Sequence, residues 1–262
     1  GENSEVPTAP DNQSEFTYYV DAEAGNDQNE GTSESHAWKS LARASRQKLN
    51  EGDKLLLKKG QVFNGELDIT GKGSTGKRIE IGSYGSGGKP IIKGNDQSKY
   101  AIRILNSDYL TISDLEIVNT GGECLAGRTG LKVECVDYGI SHDIHITNLY
   151  IHDVNGSLSK DAGGGSGILV ENGGKTIASR YDGLLIEGCH IKDCARNGMI
   201  WNGYWERQNW LPNLNVVIRG NLIEGVPGDG IVPIGCDGCL IEYNVMRDSP
   251  DILPSDQADA GF

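Results

Sequence analysis

An internal repeat of about thirty residues limits this chain to an architecture of stacked, similar units. The segments 108–120, 142–154, 182–194, 214–226 and 237–249 align without gaps when Ile112, Ile146, Ile186, Ile218 and Ile241 share a column. Two positions earlier stand Leu110, Ile144, Leu184, Val216 and Cys239, and five positions later Ile117, Ile151, Ile191, Ile223 and Met246. A second ladder, Gly130, Gly167, Gly198, Gly230 and Gly261, opens the stretches GLKV, GILV, GMIW, GIVP and GF. Its last four members are 31, 32 and 31 residues apart. Runs such as TISDLEI and HITNLYI alternate apolar and polar residues with the period of a half-buried strand. Each coil therefore contributes at least two strands, and stacked coils build long parallel sheets in which every buried column continues into the next coil. The expected fold class is all-β, a parallel solenoid.

Composition agrees with this and narrows the functions. The 37 glycines, 3 Phe and 2 Met describe a turn-rich chain whose apolar content is mostly Ile, Leu and Val. No apolar run approaches the roughly 20 residues of a membrane-spanning helix, so no membrane span is expected. A net charge of −13 argues against nucleic acid as a partner, since phosphate contacts need concentrated Lys and Arg. Residues 1–16 are acidic, polar and aperiodic, and are expected to form a disordered tether ahead of a β-helix domain at 17–262. The chain starts with Gly rather than Met, which is read either as the trace of a removed export signal or as a cloning remnant; on the first reading a secreted, periplasmic or cell-surface location is expected. Residues 35–49 are expected to form an amphipathic capping helix with Trp38, Leu41, Ala42 and Leu49 on its apolar side. Because the sequence stops at Phe262, one residue into a ladder strand, the C-terminal coils are expected to be missing.

The opening YYVDAEAGNDQNEGT and the following AWKSLARAS, together with the coil columns, make the chain resemble the pectate-lyase-like superfamily. The resemblance spans roughly residues 17–262 and implies a right-handed parallel β-helix of the secreted, carbohydrate-active type. It does not fix the reaction, because lyases, hydrolases, esterases and non-catalytic adhesins share this scaffold. The paired-Asp, His-Gly and Arg-x-Lys signatures of polygalacturonases are not found, which argues against that branch.

Cysteines and histidines carry little chemistry on this reading. Cys236-x-x-Cys239 and Cys189-x4-Cys194 have the look of metal-binding spacings. However, Cys189 falls in the column of Leu115 and Leu149, Cys239 in that of Leu110 and Ile144, and Cys194 in that of Val154 and Val226, which marks them as small core residues. His142, His145, His152 and His190 fall in outward or turn columns and read as solvated strand residues.

Chemistry is expected where long turns rise beside one sheet. The insertions 119–130, 155–167, 202–213 and 249–261 mark a groove along the glycine ladder. Within WNGYWERQNW, Trp201, Tyr204, Trp205 and Trp210 offer flat rings for stacking on pyranose faces, with Arg207 and Lys160 as further sugar contacts. Asp161, Asp229 and Asp259 precede ladder glycines, in KDAGGGSG, PGDG and ADAG, and so are expected to share one edge of the sheet. Paired there, they would serve as the acid and the nucleophile or base of a glycoside hydrolase that needs no cofactor. A uronate lyase is the alternative: Asp251, Asp256 and Asp259 would hold Ca²⁺, and Arg196, Lys160 or Arg207 would remove a proton. A third reading is a non-catalytic carbohydrate-binding solenoid. In all three the partner is a polysaccharide or oligosaccharide.

Overall fold

The computed structural model describes residues 15–254. They form a right-handed parallel β-helix with three walls. The first wall runs from Thr17–Val20 through Lys54–Lys58, Ile79–Tyr84, Leu110–Ser113, Ile140–Thr147, Arg180–Glu187 and Asn213–Arg219 to Leu240–Glu242. The ladder wall holds Leu67–Ile69, Ile102–Leu105, Arg128–Val136, Gly165–Gly173, Asn197–Asn202 and Ile231–Val232. The third holds Val62–Asn64, Ile91–Lys93, Glu116–Asn119, Tyr150–Val154, His190–Cys194, Leu222–Glu224 and Val245–Arg247.

The columns read from sequence are the registers of these sheets. Ile112, Ile146, Ile186, Ile218 and Ile241 pair in series, as do Ile117, Ile151, Ile191, Ile223 and Met246. Ile112, Ile146, Ile186, Ile117, Ile151 and Ile191 are fully buried, each stabilising the core by about 1.5–3 kcal/mol. The glycine ladder has a steric cause. A Cβ on Gly130 would lie 2.5 Å from Ile151 Cγ2, and one on Gly167 would lie 2.7 Å from Ile191 Cγ2. The ladder wall thus turns tightly against the isoleucine column of the third wall, and only glycine fits the contact. Another corner recurs in the first wall, where Tyr109, Asp143, Gly183, Asn215 and Gly238 occupy equivalent positions with φ between 49° and 90°.

The N-terminal end is closed, though by less helix than 35–49. The α-helix is Leu41–Ser45, preceded by the 3₁₀ turn Glu34–His36. It starts late because Ser40 is its N-cap, with Oγ accepting from Arg43 N at 3.0 Å, while Trp38 is extended and bridges Val20. Leu41 and Ala44 face the core, and Ala42, one position off that stripe, is exposed. Trp38 is fully buried, stacked on Tyr18 at 5.0 Å and covered by Arg43. The expected tether is shortened at its end: Phe16 donates its N–H to Asp53 and its carbonyl accepts from Lys54, both at 2.9 Å. Residues 1–14 lie outside the described residues.

Cys135, Cys189 and Cys194 are buried in the core cluster. Burial holds the Cys189 thiol up at about 11 and Cys194 higher still, so both are inert small hydrophobes.

Candidate functional site: a cleft over the ladder wall

A cleft of about 380 Å³ lies on the outer face of the ladder wall, over its last described coils. Alternation along the strands builds its floor. Residues facing inward are Leu131, Val133, Ile168, Val170, Met199 and Trp201, so the residues between them face out. One outward column runs Lys132, Leu169, Ile200 and Val232, and the next runs Glu134, Glu171 and Asn202. Leu169 and Ile200 give the floor an apolar strip, bordered by Glu171 and Asn202.

One edge is a polar ladder immediately before the glycines. Thr129, Ser166 and Asn197 stack coil on coil, with Thr129 Oγ1 3.0 Å from Ser166 Oγ. Asp229 continues the series: its N–H donates to Asn197 Oδ1 at 3.2 Å and its carbonyl accepts from Gly198 N at 3.0 Å. Asp229 is half-buried at the corner of the last described ladder strand. Loop 155–164 and loop 120–127 form the lip, joined by Gly127 N donating to Gly164 O at 2.8 Å. Arg128, fully buried, anchors that lip by donating to the carbonyls of Glu123 and Asp96 and to Asn155 Oδ1.

The aromatic loop 203–212 leaves the ladder wall at its opposite edge, because it follows the strand Asn197–Asn202 where the other loops precede theirs, and its Tyr204 and Trp205 line a separate pocket with Gly203, Glu206 and Asn209. The strand's five steps separate the two edges by roughly 17 Å. Trp205 and Trp210 are 62% and 48% exposed, and Tyr204 is half-buried with its hydroxyl covered. Arg207 lies exposed in the 3₁₀ turn Arg207–Asn209.

Several expected site residues are placed differently. Trp201 is no stacking platform: it is 0% exposed and its register partner is the core residue Val170. Asp161 does not share an edge with Asp229. It lies six residues before its glycine, exposed on loop 155–164, and Ser166 holds the equivalent position. Arg196 is 4% exposed, in a left-handed conformation, with Nη1 donating to Leu158 O at 2.7 Å. That burial and anchoring suit shaping the cleft wall better than moving a proton. Lys160 lines the cleft. Asp251 is exposed beyond the last strand, and Asp256 and Asp259 lie outside the described residues. Among the described residues no three His, Cys, Asp or Glu side chains converge as a metal site. The four strand histidines lie on the other two walls, each within 3.0 Å of a carboxylate: Asp108, Asp143, Glu116 and Glu224.

Besides the expected Lys160 and Arg196, the cleft holds Lys99, Lys132 and Glu171, which the sequence motifs do not single out. Lys99, Lys132, Lys160 and Arg196 line the cleft with Glu171, gathering positive charge in a chain of net charge −13. Lys132 Nζ stands 3.4 Å from Glu134 Oε2 and 4.0 Å from Glu171 Oε1, on adjacent coils. The signal was present, since GLKVE and GILVE place a glutamate four residues after consecutive ladder glycines.

No protein-family profile matches the chain. A lacto-N-biosidase of Bifidobacterium longum subsp. longum is 28% identical to it over 320 aligned positions, covering 91% of this chain and 20% of that protein. Two crystal structures of the GH136 lacto-N-biosidase from Eubacterium ramulus, a native and a selenomethionine form, superimpose with TM-scores of 0.75 and 0.73. Each shares 26% identity and covers 89% of this chain and 52% of the solved one. The chain thus spans about half of the solved relative and a fifth of the curated one.

Proposed function

We propose that the ladder-wall cleft belongs to a glycoside hydrolase acting on oligosaccharides that carry a lacto-N-biose-type disaccharide. The observation that carries this is the cleft's construction, an apolar strip beside a polar edge with exposed aromatic rings on the loop that follows Asn202, in a β-helix similar to two lacto-N-biosidases. The roughly 17 Å between the edges accommodates more than one sugar ring. Trp205 and Trp210 stack on the distal sugar, and the bond to be cut lies toward Asp229.

Asp229 is the carboxylate assigned to that bond. Its backbone is fixed on both sides by Asn197 and Gly198, which holds its Cα at one position on the edge. Hydrolysis needs a second carboxylate, so that one protonates the leaving oxygen while the other attacks or activates water. Asp259, two residues before the next ladder glycine in the sequence, is the candidate. No cofactor takes part in this chemistry. Export to the cell surface or medium accords with such a substrate, and fractionation of expressing cells tests it.

A second reading rests on the cationic lining. Lys99, Lys132, Lys160 and Arg196 suit an acidic sugar, as a uronate lyase requires. The test separates these readings: the purified chain is incubated with a lacto-N-biose-terminated tetrasaccharide and with uronate polymers, with and without Ca²⁺. Disaccharide release, lost at least about a thousandfold in Asp229→Asn while binding persists, supports the hydrolase. Calcium-dependent ultraviolet absorbance supports the lyase. Binding without turnover indicates a carbohydrate-binding solenoid or a site completed by other segments.

A further inference from the structure

We propose that Cys236 and Cys239 are a redox-active pair that closes into an intrachain disulfide across the corner of the last described coil of the first wall. The inference is independent of the glycan cleft.

The corner geometry supports it. In each coil of this wall a left-handed residue sits at the same register position, and it rotates the chain so that the residue two before and the residue one after both turn inward. Ser141 and Ile144 flank Asp143, Tyr181 and Leu184 flank Gly183, and Asn213 and Val216 flank Asn215, all of them buried. Gly238, with φ +68°, is the equivalent residue one coil further, and its flanking pair is Cys236 and Cys239. The fold therefore aims the two thiols into one corner, with two residues between them. Both side chains pack against the core cluster at that corner. The interaction between the two thiols pushes Cys236 up and lowers Cys239, so Cys239 is the readier of the two to ionise and attack.

Access separates this pair from the other cysteines. Cys135, Cys189 and Cys194 are sealed in the core, and Cys124 stands exposed on the loop 120–127 at the edge of the ladder wall. Cys236 and Cys239 are half-buried and packed against the core cluster, reachable yet held. The oxidant is a small disulfide such as glutathione disulfide. The Cys239 thiolate attacks one of its sulfurs, forming a mixed disulfide and expelling one glutathione thiolate. Cys236 then gives up its proton and attacks Cys239 sulfur, expelling the second. Two protein thiols and one glutathione disulfide thereby become one protein disulfide and two glutathione thiols.

The test is native oxidation followed by alkylation and mass analysis of the tryptic peptide between Arg219 and Arg247, which carries both cysteines. After treatment with glutathione disulfide the peptide is expected to lack two hydrogens and to resist alkylation until reduced. Cys236→Ser should trap glutathione on Cys239, and Cys239→Ser should take up glutathione at Cys236 at least about tenfold more slowly. Circular dichroism confirms that each variant retains the fold. In the wild-type chain, a peptide still doubly alkylated after oxidation, or carrying two separate glutathiones, would overturn the pairing. Equal trapping rates in the two variants would overturn the assignment of Cys239 as the attacking thiolate.

Discussion

Substituting Gly167 by alanine tests whether the glycine ladder exists for steric reasons. The added methyl would lie 2.7 Å from Ile191 Cγ2 and 2.9 Å from the carbonyl oxygen of Gly198, where ordinary carbon contacts are about 3.5–4.0 Å. Neither neighbour moves freely: Ile191 is fully buried in its column, and Gly198 belongs to the adjacent ladder strand. Relief requires prising the ladder wall from the third wall by most of an ångström. Overpacking of this kind costs about 1–3 kcal/mol, and the involvement of backbone puts Gly167→Ala at the upper end. In a chain of 262 residues that lowers Tm by roughly 5–10 °C. Gly173→Ala, where a Cβ meets nothing within 4 Å, should change Tm by about 1 °C or less. Thermal melts followed by circular dichroism measure both. Combining Gly167→Ala with Ile191→Ala should cost about 1–2 kcal/mol less than the sum of the single changes, since the second removes the obstructing methyl. A Gly167→Ala protein melting within a degree of wild type would refute the steric account of the ladder.

The acid side of the stability profile should depend on Asp21. Burial would raise its pKa, but hydrogen bonds from Ala24 N, Gln61, Lys58 and Glu23 N override this and hold it at about 2. Because the folded pKa is depressed, the stabilisation is complete above about pH 4 and lost as pH falls through about 2. It amounts to about 2 kcal/mol, and Asp21→Asn should abolish this part of the pH dependence in urea titrations. Asn221→Ala should destabilise by about 2–4 kcal/mol in the same assay, since it leaves the buried Cys189 N–H and Ile186 carbonyl unpaired. Arg128→Met should loosen the lip of the cleft, read as faster hydrogen exchange across 120–127 with little change in the first wall. Trp205→Ala should weaken oligosaccharide binding about tenfold by calorimetry, whereas Trp201→Ala should cost about 3–5 kcal/mol of stability instead.

The walls were legible in the sequence because each strand there carries a pattern that must repeat for the coils to stack. Ile146 pairs with Ile112 and Ile186 although the gaps between them are 34 and 40 residues, since the difference is absorbed in loops. The first coils escaped the alignment for the same reason in reverse. Tyr18, Leu55 and Ile81 also stack, but their spacings of 37 and 26 residues hide the column, and the capping segment intervenes. The helix is shorter than its apolar stripe because the Val20 bridge holds Trp38 in extended chain and Ser40 caps the helix after it.

The site divides along the same line. Residues on the ladder strands obey alternation, so Trp201 could have been assigned to the core. It lies two residues after Met199 and three after Gly198, the parity shared by Val133 and Val170. Glu171 and Lys132 were accessible by the same rule. Residues in the loops obey no such rule. Asp161 and Asp229 look alike as acids ahead of glycine, yet one lies six residues out on a loop and the other directly beside the ladder, where coil register determines its surroundings. In a solenoid, then, distance in sequence from the nearest register position measures how far a side chain's location follows from the repeat. By that measure the placement of Asp229, one residue from Gly230, follows from the repeat nearly as closely as that of Glu171 on its ladder strand, whereas that of Asp161 does not.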